Sequence, residues 1–109
     1  MLPEPIKKCI DAFSRLPGIG PKTGSRLVFY LLRLTDDDLA LRLAEALTEL
    51  RTGTDVCPVC FHIMAAGRRE CRICADPDRD GSQICVVEEP LDVVALERTS
   101  GYRGRYHVL

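Results

Sequence analysis

Tryptophan is absent from this chain of 109 residues, and aromatic residues make up only 6% of it. Hydrophobic content of 46% is nevertheless ample for the core of one domain or of two very small ones. Long apolar runs are missing as well, since the longest, Leu27–Leu32, is far too short to cross a bilayer. The start of the chain, Met1–Pro5, lacks the basic segment and apolar stretch of a secretory signal, so the sequence predicts a cytoplasmic protein.

The charge of the chain is small overall but unevenly distributed. The formal net charge is −1. Residues 1–34 carry six basic and two acidic side chains, a net +4, and the remainder carries nine basic and fourteen acidic ones, a net −5. A basic N-terminal segment on an acidic body predicts a localised contact with a polyanion.

Two Cys-x-x-Cys pairs lie in the middle of the chain, with ten residues between them. Each pair supplies two thiolates from one tight turn, and a zinc ion binds four thiolates tetrahedrally. Four protein ligands leave no open coordination position, so we predict one structural zinc ion and no catalytic metal. The predicted ligands are Cys57, Cys60, Cys71 and Cys74.

Disulfide bonds and redox chemistry are the alternatives to zinc for these cysteines. Disulfides suit a secreted chain, and thioredoxin-type redox chemistry needs one pair that opens a helix after a strand. His62 lies close to Cys60 and could compete as a ligand, although four cysteines already complete a shell. Cys9 and Cys85 lie in apolar settings, and we expect both to be buried free thiols.

Apolar residues predict two helices in the N-terminal third. The first carries an i, i+3, i+4, i+7 stripe and stops at Leu16–Gly20, where a proline and two glycines follow. Pro21 suits the first turn of a second helix, which we expect to run to about Leu34. Gly24 is a poor helix former, so this helix either begins loosely or packs unusually closely there. The stripe consists of Ile6, Cys9, Ile10 and Phe13.

The connection between these helices has the composition of an anion-binding turn. Gly18 and Gly20 permit backbone angles closed to other residues, so amides there can approach an anion closely. Lys22 and Arg26, four residues apart, share one helix face beside those amides. The stretch Leu16–Lys22 resembles a helix-hairpin-helix motif, which contacts DNA phosphates without reading bases. A Gly-x-Gly before a helix is weak alone, and a plain turn is the alternative.

A third helix is expected after the basic segment. Thr35 is the predicted N-cap with Asp38 three positions on, and Asp36 and Asp37 favour the positive end of the helix. Gly53 ends it. The three consecutive aspartates could suggest a metal site, but helix capping and the helix dipole are the simpler explanation of their position.

The C-terminal third predicts one strand–helix–strand unit. The polar connector Asp76–Ser82 is rich in turn formers, and its aspartates are expected to be solvated. Ile84–Val87 is typical of a buried parallel strand, and a helix to about Thr99 and a strand from Tyr106 follow. Glu88 and its neighbour Glu89 lie where open α/β sheets bind ligands, or they interact with the following helix N-terminus.

In their order along the chain, these motifs closely resemble the RecR family of bacterial recombination mediators. The segments that carry the resemblance are Leu-Pro-Gly-Ile-Gly-Pro-Lys at 16–22, Cys-Pro-x-Cys at 57–60, Cys-x-x-Cys at 71–74, Ile-Cys-Val-Val-Glu-Glu-Pro at 84–90, Ala-Leu-Glu-Arg at 95–98 and Tyr-Arg-Gly-x-Tyr-His-Val-Leu at 102–109. The resemblance covers essentially the whole chain.

The resemblance implies a DNA-binding clamp protein of recombinational repair. Such proteins act with RecO and RecF and help to load the RecA recombinase onto single-stranded DNA. By position, Lys22 and Arg26 would contact DNA, the four paired cysteines would bind zinc, and Glu88 would be the glutamate of a Toprim domain used for assembly and partner binding. The family also implies a ring-shaped homo-oligomer and a nucleoid-associated place in the cytoplasm.

The predicted fold class is α+β with three parts. A helix-hairpin-helix DNA-binding domain spans residues 1–53, a four-cysteine zinc finger spans 54–80, and the start of a Toprim α/β domain spans 81–109. Members of the family continue beyond Leu109, so we expect a chain truncated within the Toprim sheet. Ring assembly and partner contacts that depend on the remaining half therefore stay open for this chain.

Three classes of function compete at this level. The leading one is a non-enzymatic DNA-binding mediator, supported by the hairpin, the charge asymmetry and the order of motifs. A Toprim nuclease or primase would use Glu88 with magnesium, but it needs a downstream acidic pair and this sequence has no acid after Glu97. A zinc-ribbon adaptor that binds only protein is the third.

Overall fold

The computed structural model describes residues 1–33 and 37–109, which form two compact units, Met1–Leu47 and Thr48–Leu109. The three-part division expected from the sequence stays a prediction. Within the described ranges, no helix has both the length and the apolar character needed to cross a bilayer. The helices and strands, in chain order, are α1 (Glu4–Ser14), α2 (Pro21–Leu31), α3 (Leu39–Thr52), β1 (Thr54–Val56), β2 (Ile63–Ala65), α4 (Arg72–Ala75), β3 (Asp80–Val87), α5 (Pro90–Arg98) and β4 (Gly104–Val108).

Close packing of α1 against α2 organises the first unit. Gly24 is buried in α2, and a Cβ placed on it would lie 3.0 Å from Ser14 Oγ and 3.3 Å from the Ile10 carbonyl oxygen. Glycine therefore lets the two backbones approach, which confirms the close-packing alternative for this position. Val28, one turn further along α2, is buried on the same side.

The second helix is shorter than the sequence suggested. It ends at Leu31 and not near Leu34, which lies outside the described residues together with the predicted N-cap Thr35 and with Asp36. The Arg33 amide donates to the Tyr30 carbonyl at 3.2 Å, a tightened last turn that terminates the helix.

The third helix begins at Leu39 and ends at Thr52, immediately before Gly53 as predicted. Asp38 precedes it, and its Oδ1 accepts a hydrogen bond from the Leu41 amide at 3.2 Å. The prediction that the aspartates cap this helix is confirmed for Asp38. Asp38 acts from the position directly before the helix, however, and not from three positions after a Thr35 N-cap. Asp37 forms an ion pair with Arg42 on the exposed side of the helix.

The second unit contains two small sheets. Strands β1 and β2 pair antiparallel, with Thr54 opposite Ala65 and Val56 opposite Ile63. Strands β3 and β4 pair in parallel and are connected through α5, as the predicted strand–helix–strand unit requires.

The parallel pair differs from the prediction in two respects. Strand β3 starts at Asp80 and not at Ile84, and its register shifts between these residues, so part of the predicted connector is strand. The predicted burial of this strand was wrong for one face, because Ile84 and Val86 are 65% and 59% exposed. The opposite face is covered by α5, whose Val93 packs in a buried cluster with Tyr106.

Contacts from the cysteine-rich segment reach directly onto β4. The Val108 amide donates to the Cys60 carbonyl at 2.8 Å, and the rings of Phe61 and His107 lie 5.3 Å apart. Ile73 packs against both the cysteine cluster and the cluster around Val93. The two parts of this unit are therefore joined by a backbone hydrogen bond, a ring contact and a shared apolar side chain.

Candidate metal centre and nucleic-acid interface

The four cysteines predicted as ligands are brought together at one point. Their Sγ atoms all lie within 4.8 Å of one another, and all four residues are buried. The Sγ atoms of Cys57 and Cys74 are 4.0 Å apart, and those of Cys60 and Cys71 are 3.6 Å apart. This arrangement can hold one metal ion with one sulfur ligand from each residue.

Local backbone structure positions the first cysteine pair. The Cys57 amide donates to the His62 carbonyl at 2.7 Å, and the Phe61 amide donates back to the Cys57 carbonyl at 2.8 Å. This tight turn places Phe61 at a φ of 67°, a conformation that bulky residues rarely adopt. The turn follows β1 directly, so the short hairpin fixes where the first two sulfurs lie.

The second cysteine pair uses the start of a short helix. Cys71 is the N-cap of α4, and its Sγ accepts a hydrogen bond from the Cys74 amide at 3.4 Å. The Cys71 amide in turn donates to Cys57 Sγ at 3.3 Å, and the His62 amide donates to Cys60 Sγ at 3.4 Å. Amide donors directed at sulfur favour the thiolate form that binds metal.

Burial disfavours the thiolate form of these cysteines, whereas hydrogen bonds from backbone amides favour it. The pKa values of Cys57 and Cys60 reflect both effects. Burial alone would raise the pKa of Cys57, but amide hydrogen bonds, led by that of Cys60, lower it to about 6. Burial raises the pKa of Cys60 to about 11, with a further contribution from Cys71. The pKa of Cys74 is also raised, by burial and by the two neighbouring thiols. A cation within the cluster would replace the remaining protons, because it offsets the repulsion between thiolates.

The alternatives for the cysteines can now be compared with the geometry. None of the six cysteines, all of which lie in the described ranges, forms a disulfide, and sulfur separations of 3.6 and 4.0 Å exceed a bond of about 2.05 Å. His62 does not belong to the sulfur group and takes part through its backbone. Cys9 and Cys85 are half-buried free thiols, less buried than predicted.

The connection between α1 and α2 is a tight turn with one position that requires glycine. Gly18 has a φ of 78°, in the left-handed region that the sequence predicted. Gly20 does not, because its φ of −88° and ψ of 178° are extended angles open to any residue. The expectation of unusual angles at both glycines was therefore wrong for Gly20. A Cβ at either glycine would have no neighbour within 4 Å, so the surface of the turn is open.

The first turn of α2 leaves backbone donors available. Gly20 is the N-cap and offers no side-chain acceptor, and Pro21 follows it. In the part of the chain that the structure describes, the amides of Lys22 and Thr23 have no acceptor. Unsatisfied amides at the positive end of a helix dipole are typical of an anion-binding position.

The two predicted DNA-contact side chains are exposed beside these amides. Lys22 and Arg26 lie one turn apart on α2, so they share a face of the helix. Across residues 1–33 and 37–109, neither side chain takes part in an ion pair. Their assignment to DNA stays a prediction, but nothing in the described structure competes for their charge.

Comparison with known proteins gives two family matches and a set of full-length alignments to this chain. Residues 6–51 match the family described as RecR, helix-hairpin-helix, and residues 82–109 match the Toprim domain. The protein named Recombination protein RecR from Roseiflexus sp. (strain RS-1) is 56% identical over 109 residues, which is all of this chain and 52% of that protein. The chain belongs to the RecR family.

Two further proteins named RecR align with this chain at similar identity and coverage. The Recombination protein RecR of Chloroflexus aurantiacus is 51% identical over 109 residues, again all of this chain and 52% of the relative. That of Moorella thermoacetica is 52% identical over 107 residues, 98% of this chain and 52% of the relative. The chain thus spans about half the length of the curated RecR proteins it matches. The sulfur cluster lies between the two segments that match family descriptions.

One cluster in this RecR chain was missed by sequence reasoning. The side chain of Arg79 is only 7% exposed and makes a two-pronged ion pair with Glu97, in which Nη1 lies 3.1 Å from Oε2. Arg79 also donates to the carbonyls of Tyr102 and Gly104, and the Tyr106 hydroxyl donates to Glu97 Oε2 at 2.6 Å. The hydrogen bond from Arg79 lowers the pKa of Glu97, and burial raises the pKa of Tyr106. No local signal marks this cluster, because its partners are up to 25 residues apart.

The acidic residues after β3 now have a defined place. Glu88 is exposed, and Glu89 is the N-cap residue of α5. The Glu89 amide donates to the Asp92 carboxylate at 3.0 Å, so this part of the segment serves the helix start. The helix-terminus interpretation is confirmed for Glu89, and Glu88 keeps a free position at the carboxyl end of the strand.

Proposed function

We propose that this chain is the DNA-binding part of a non-enzymatic recombination mediator. It would act at chromosomal DNA in the cytoplasm, with RecO and RecF as partners, to help load RecA onto single-stranded DNA. A ring of several copies is part of the same proposal. The observation that carries the proposal is the uncapped start of α2, where two free amides lie beside the unpaired cations Lys22 and Arg26.

Phosphate is the ligand that this arrangement favours. Backbone amides at a helix N-terminus donate to phosphate oxygens, and flanking cations add charge without reading bases. Because Gly18 and Gly20 present no side chain, a strand can approach the backbone of the turn closely. The net charge of +4 over residues 1–34 attracts the same ligand from a distance.

We also propose that the sulfur cluster holds one structural zinc ion. Four thiolates at Zn–S distances of about 2.3 Å in a tetrahedron lie about 3.8 Å apart, close to the separations of 3.6 and 4.0 Å across this cluster. When bound, zinc supplies structural cross-linking and no reactive position. The ion would be held by Cys57, Cys60, Cys71 and Cys74. The hydrogen bond from the Val108 amide to the Cys60 carbonyl would then connect the ordered metal site to β4.

Binding of a labelled dT oligonucleotide at low salt tests the DNA proposal. We expect Lys22→Ala/Arg26→Ala to weaken binding by about tenfold or more, because two phosphate contacts are lost. The matched control is Lys7→Ala/Lys8→Ala, which removes the same charge from α1 and should have a much smaller effect. If both double variants lose the same DNA affinity, the binding reflects non-specific electrostatic attraction and not a site at the start of α2. A folded, zinc-loaded chain without DNA affinity would support an adaptor that binds only protein.

The Toprim match and the exposed Glu88 favour one second candidate, a magnesium-dependent enzyme acting on DNA. Its test is incubation of the chain with plasmid DNA and Mg²⁺, beside the variant Glu88→Gln. Under the mediator proposal neither protein cuts DNA. Cleavage by the wild-type chain that disappears in the variant would establish the enzyme.

A further inference from the structure

The exposed side of α2 continues beyond the two predicted DNA contacts. In an α-helix, positions 22, 26 and 29 fall within about 60° of one another when viewed along the axis. This stripe lies opposite Gly24 and Val28, the two buried residues of α2. It therefore faces away from α1 along its whole length. Its members are Lys22, Arg26 and Phe29. Tyr30 lies beside them, and Arg33 follows two residues after the end of the helix.

Aromatic side chains occupy the middle of a stripe that should be polar. Phe29 is 49% exposed and Tyr30 is 53% exposed, although both rings could reduce the free energy by burial. The guanidinium of Arg33 lies 4.9 Å from the centre of the Tyr30 ring. Segment 21–33 contains no acidic residue, so every charged side chain that this segment contributes is positive.

We propose that Phe29 and Tyr30 stack on unpaired bases of a single strand whose phosphates are held along the same stripe. The inference rests on the proposed DNA function and adds the substrate class, single-stranded nucleic acid. Aromatic rings alternating with cations match a strand whose bases and phosphates alternate.

Charge argues for nucleic acid as the occupant in preference to a protein surface. An apolar protein patch over Phe29 would have to desolvate Lys22, Arg26 and Arg33 without compensation. A nucleic-acid strand supplies base faces for the rings and negative charge for the cations in one ligand. A duplex cannot do this equally well, because its base faces are already stacked on one another.

The surroundings of Tyr30 leave room for a base. Tyr30, Arg33, Asp37 and Leu39 line a cavity of about 250 Å³. Among the described residues that line it, the carboxylate belongs to Asp37, which forms an ion pair with Arg42 on α3. Its charge is thereby offset, so it does not oppose a phosphate at Arg33. Because an arginine plane also stacks on bases, the Tyr30–Arg33 pair forms a second stacking platform next to Phe29.

Titration of Phe29→Leu with a dT oligonucleotide and with a duplex of equal length tests the inference. We expect affinity for the single strand to fall roughly 5- to 150-fold, the loss for one stacked base, with duplex affinity within about twofold of wild type. The salt dependence should not change, because no phosphate contact is removed. Leu41→Ala on α3, an equally exposed apolar side chain away from the stripe, is the control and should bind both as the wild type does.

The tyrosine signal gives a second readout. Without tryptophan, emission comes from three tyrosines, and Tyr30 is the exposed one, since Tyr106 is buried and Tyr102 is half-buried. Stacking of a base should quench this emission, and Tyr30→Leu should abolish the quenching. Circular dichroism of each variant checks that the helices are intact.

The outcomes distinguish a failure of the stacking inference from a failure of the proposed DNA-binding function. If Phe29→Leu binds the single strand as tightly as wild type while Lys22→Ala/Arg26→Ala binds weakly, phosphate contact stands and base stacking is refuted. If Phe29→Leu instead changes the sedimentation coefficient and leaves oligonucleotide affinity intact, the ring packs between copies and the inference is wrong. If the wild-type chain binds no DNA, the proposed function fails first.

Discussion

Glu97→Gln is the substitution whose effect on stability follows most directly from the structure. It keeps the size of the side chain but removes the charge that faces the nearly buried guanidinium of Arg79. The remaining partners of Arg79 are two carbonyls and Asp76, whose nearest oxygen is 3.8 Å away. Tyr106 also loses a charged acceptor for its hydroxyl.

The expected magnitude comes from the cost of leaving a buried charge unpaired. Removing one partner of a buried ion pair costs about 3–5 kcal/mol. The Glu97 side chain is 29% exposed, so solvent screens part of the interaction, and we expect about 2–3 kcal/mol. Urea unfolding followed by circular dichroism measures it. Glu88→Gln, which removes an exposed carboxylate from the same unit, is the control and should unfold as the wild type does.

The pH dependence of the free energy of unfolding tests whether the charge of Glu97 stabilises the folded state. Because the pKa of Glu97 is lowered in the folded state, its contribution is fully present above the unfolded value of about 4.3. The contribution is lost as the pH falls through the lower folded pKa. The stability gap between wild type and Glu97→Gln should therefore close on acidification. A gap below about 1 kcal/mol at neutral pH, or one that widens in acid, would refute the reasoning.

Two further predictions concern the glycine contact and the metal. Gly24→Ala should destabilise the first unit by about 1 kcal/mol, since overpacking at about 1–3 kcal/mol outweighs the gain in helix propensity; thermal unfolding that shows greater stability would contradict the close α1–α2 contact. Removal of metal by a chelator should speed hydrogen exchange at the Val108 amide, whose acceptor is the Cys60 carbonyl, and leave α1 unchanged. Exchange at Val108 that is insensitive to chelation would show that β4 does not depend on the cluster.

Features set by short-range chemistry were predictable from the sequence. The Cys-x-x-Cys spacing determines a tight turn, so four sulfurs could be assigned to one site before their separations were known. The stripe of α1 and the end of α3 before Gly53 likewise depend on neighbours a few residues away. The strand–helix–strand order also followed from local patterns, although the start of β3 did not.

Features set by tertiary contacts could not be predicted. The partners Arg79 and Glu97 are 18 residues apart, and a polar connector gives no sign that one of its side chains is nearly buried. A run of apolar residues does not distinguish one covered face from two, so the exposure of Ile84 was missed. Gly20 was expected to need unusual angles because of its residue type, but its angles are ordinary.

The salt dependence of single-strand binding tests the central claim, that α2 and the turn before it hold phosphates, most directly. Affinity for a dT oligonucleotide would be measured from about 50 to about 200 mM salt for the wild type, Lys22→Ala/Arg26→Ala and Lys7→Ala/Lys8→Ala. Loss of two phosphate contacts predicts that the logarithmic slope of the first variant is shallower by about 1.4, with the slope of the second unchanged. A Lys22→Ala/Arg26→Ala slope equal to that of the wild type would contradict the account.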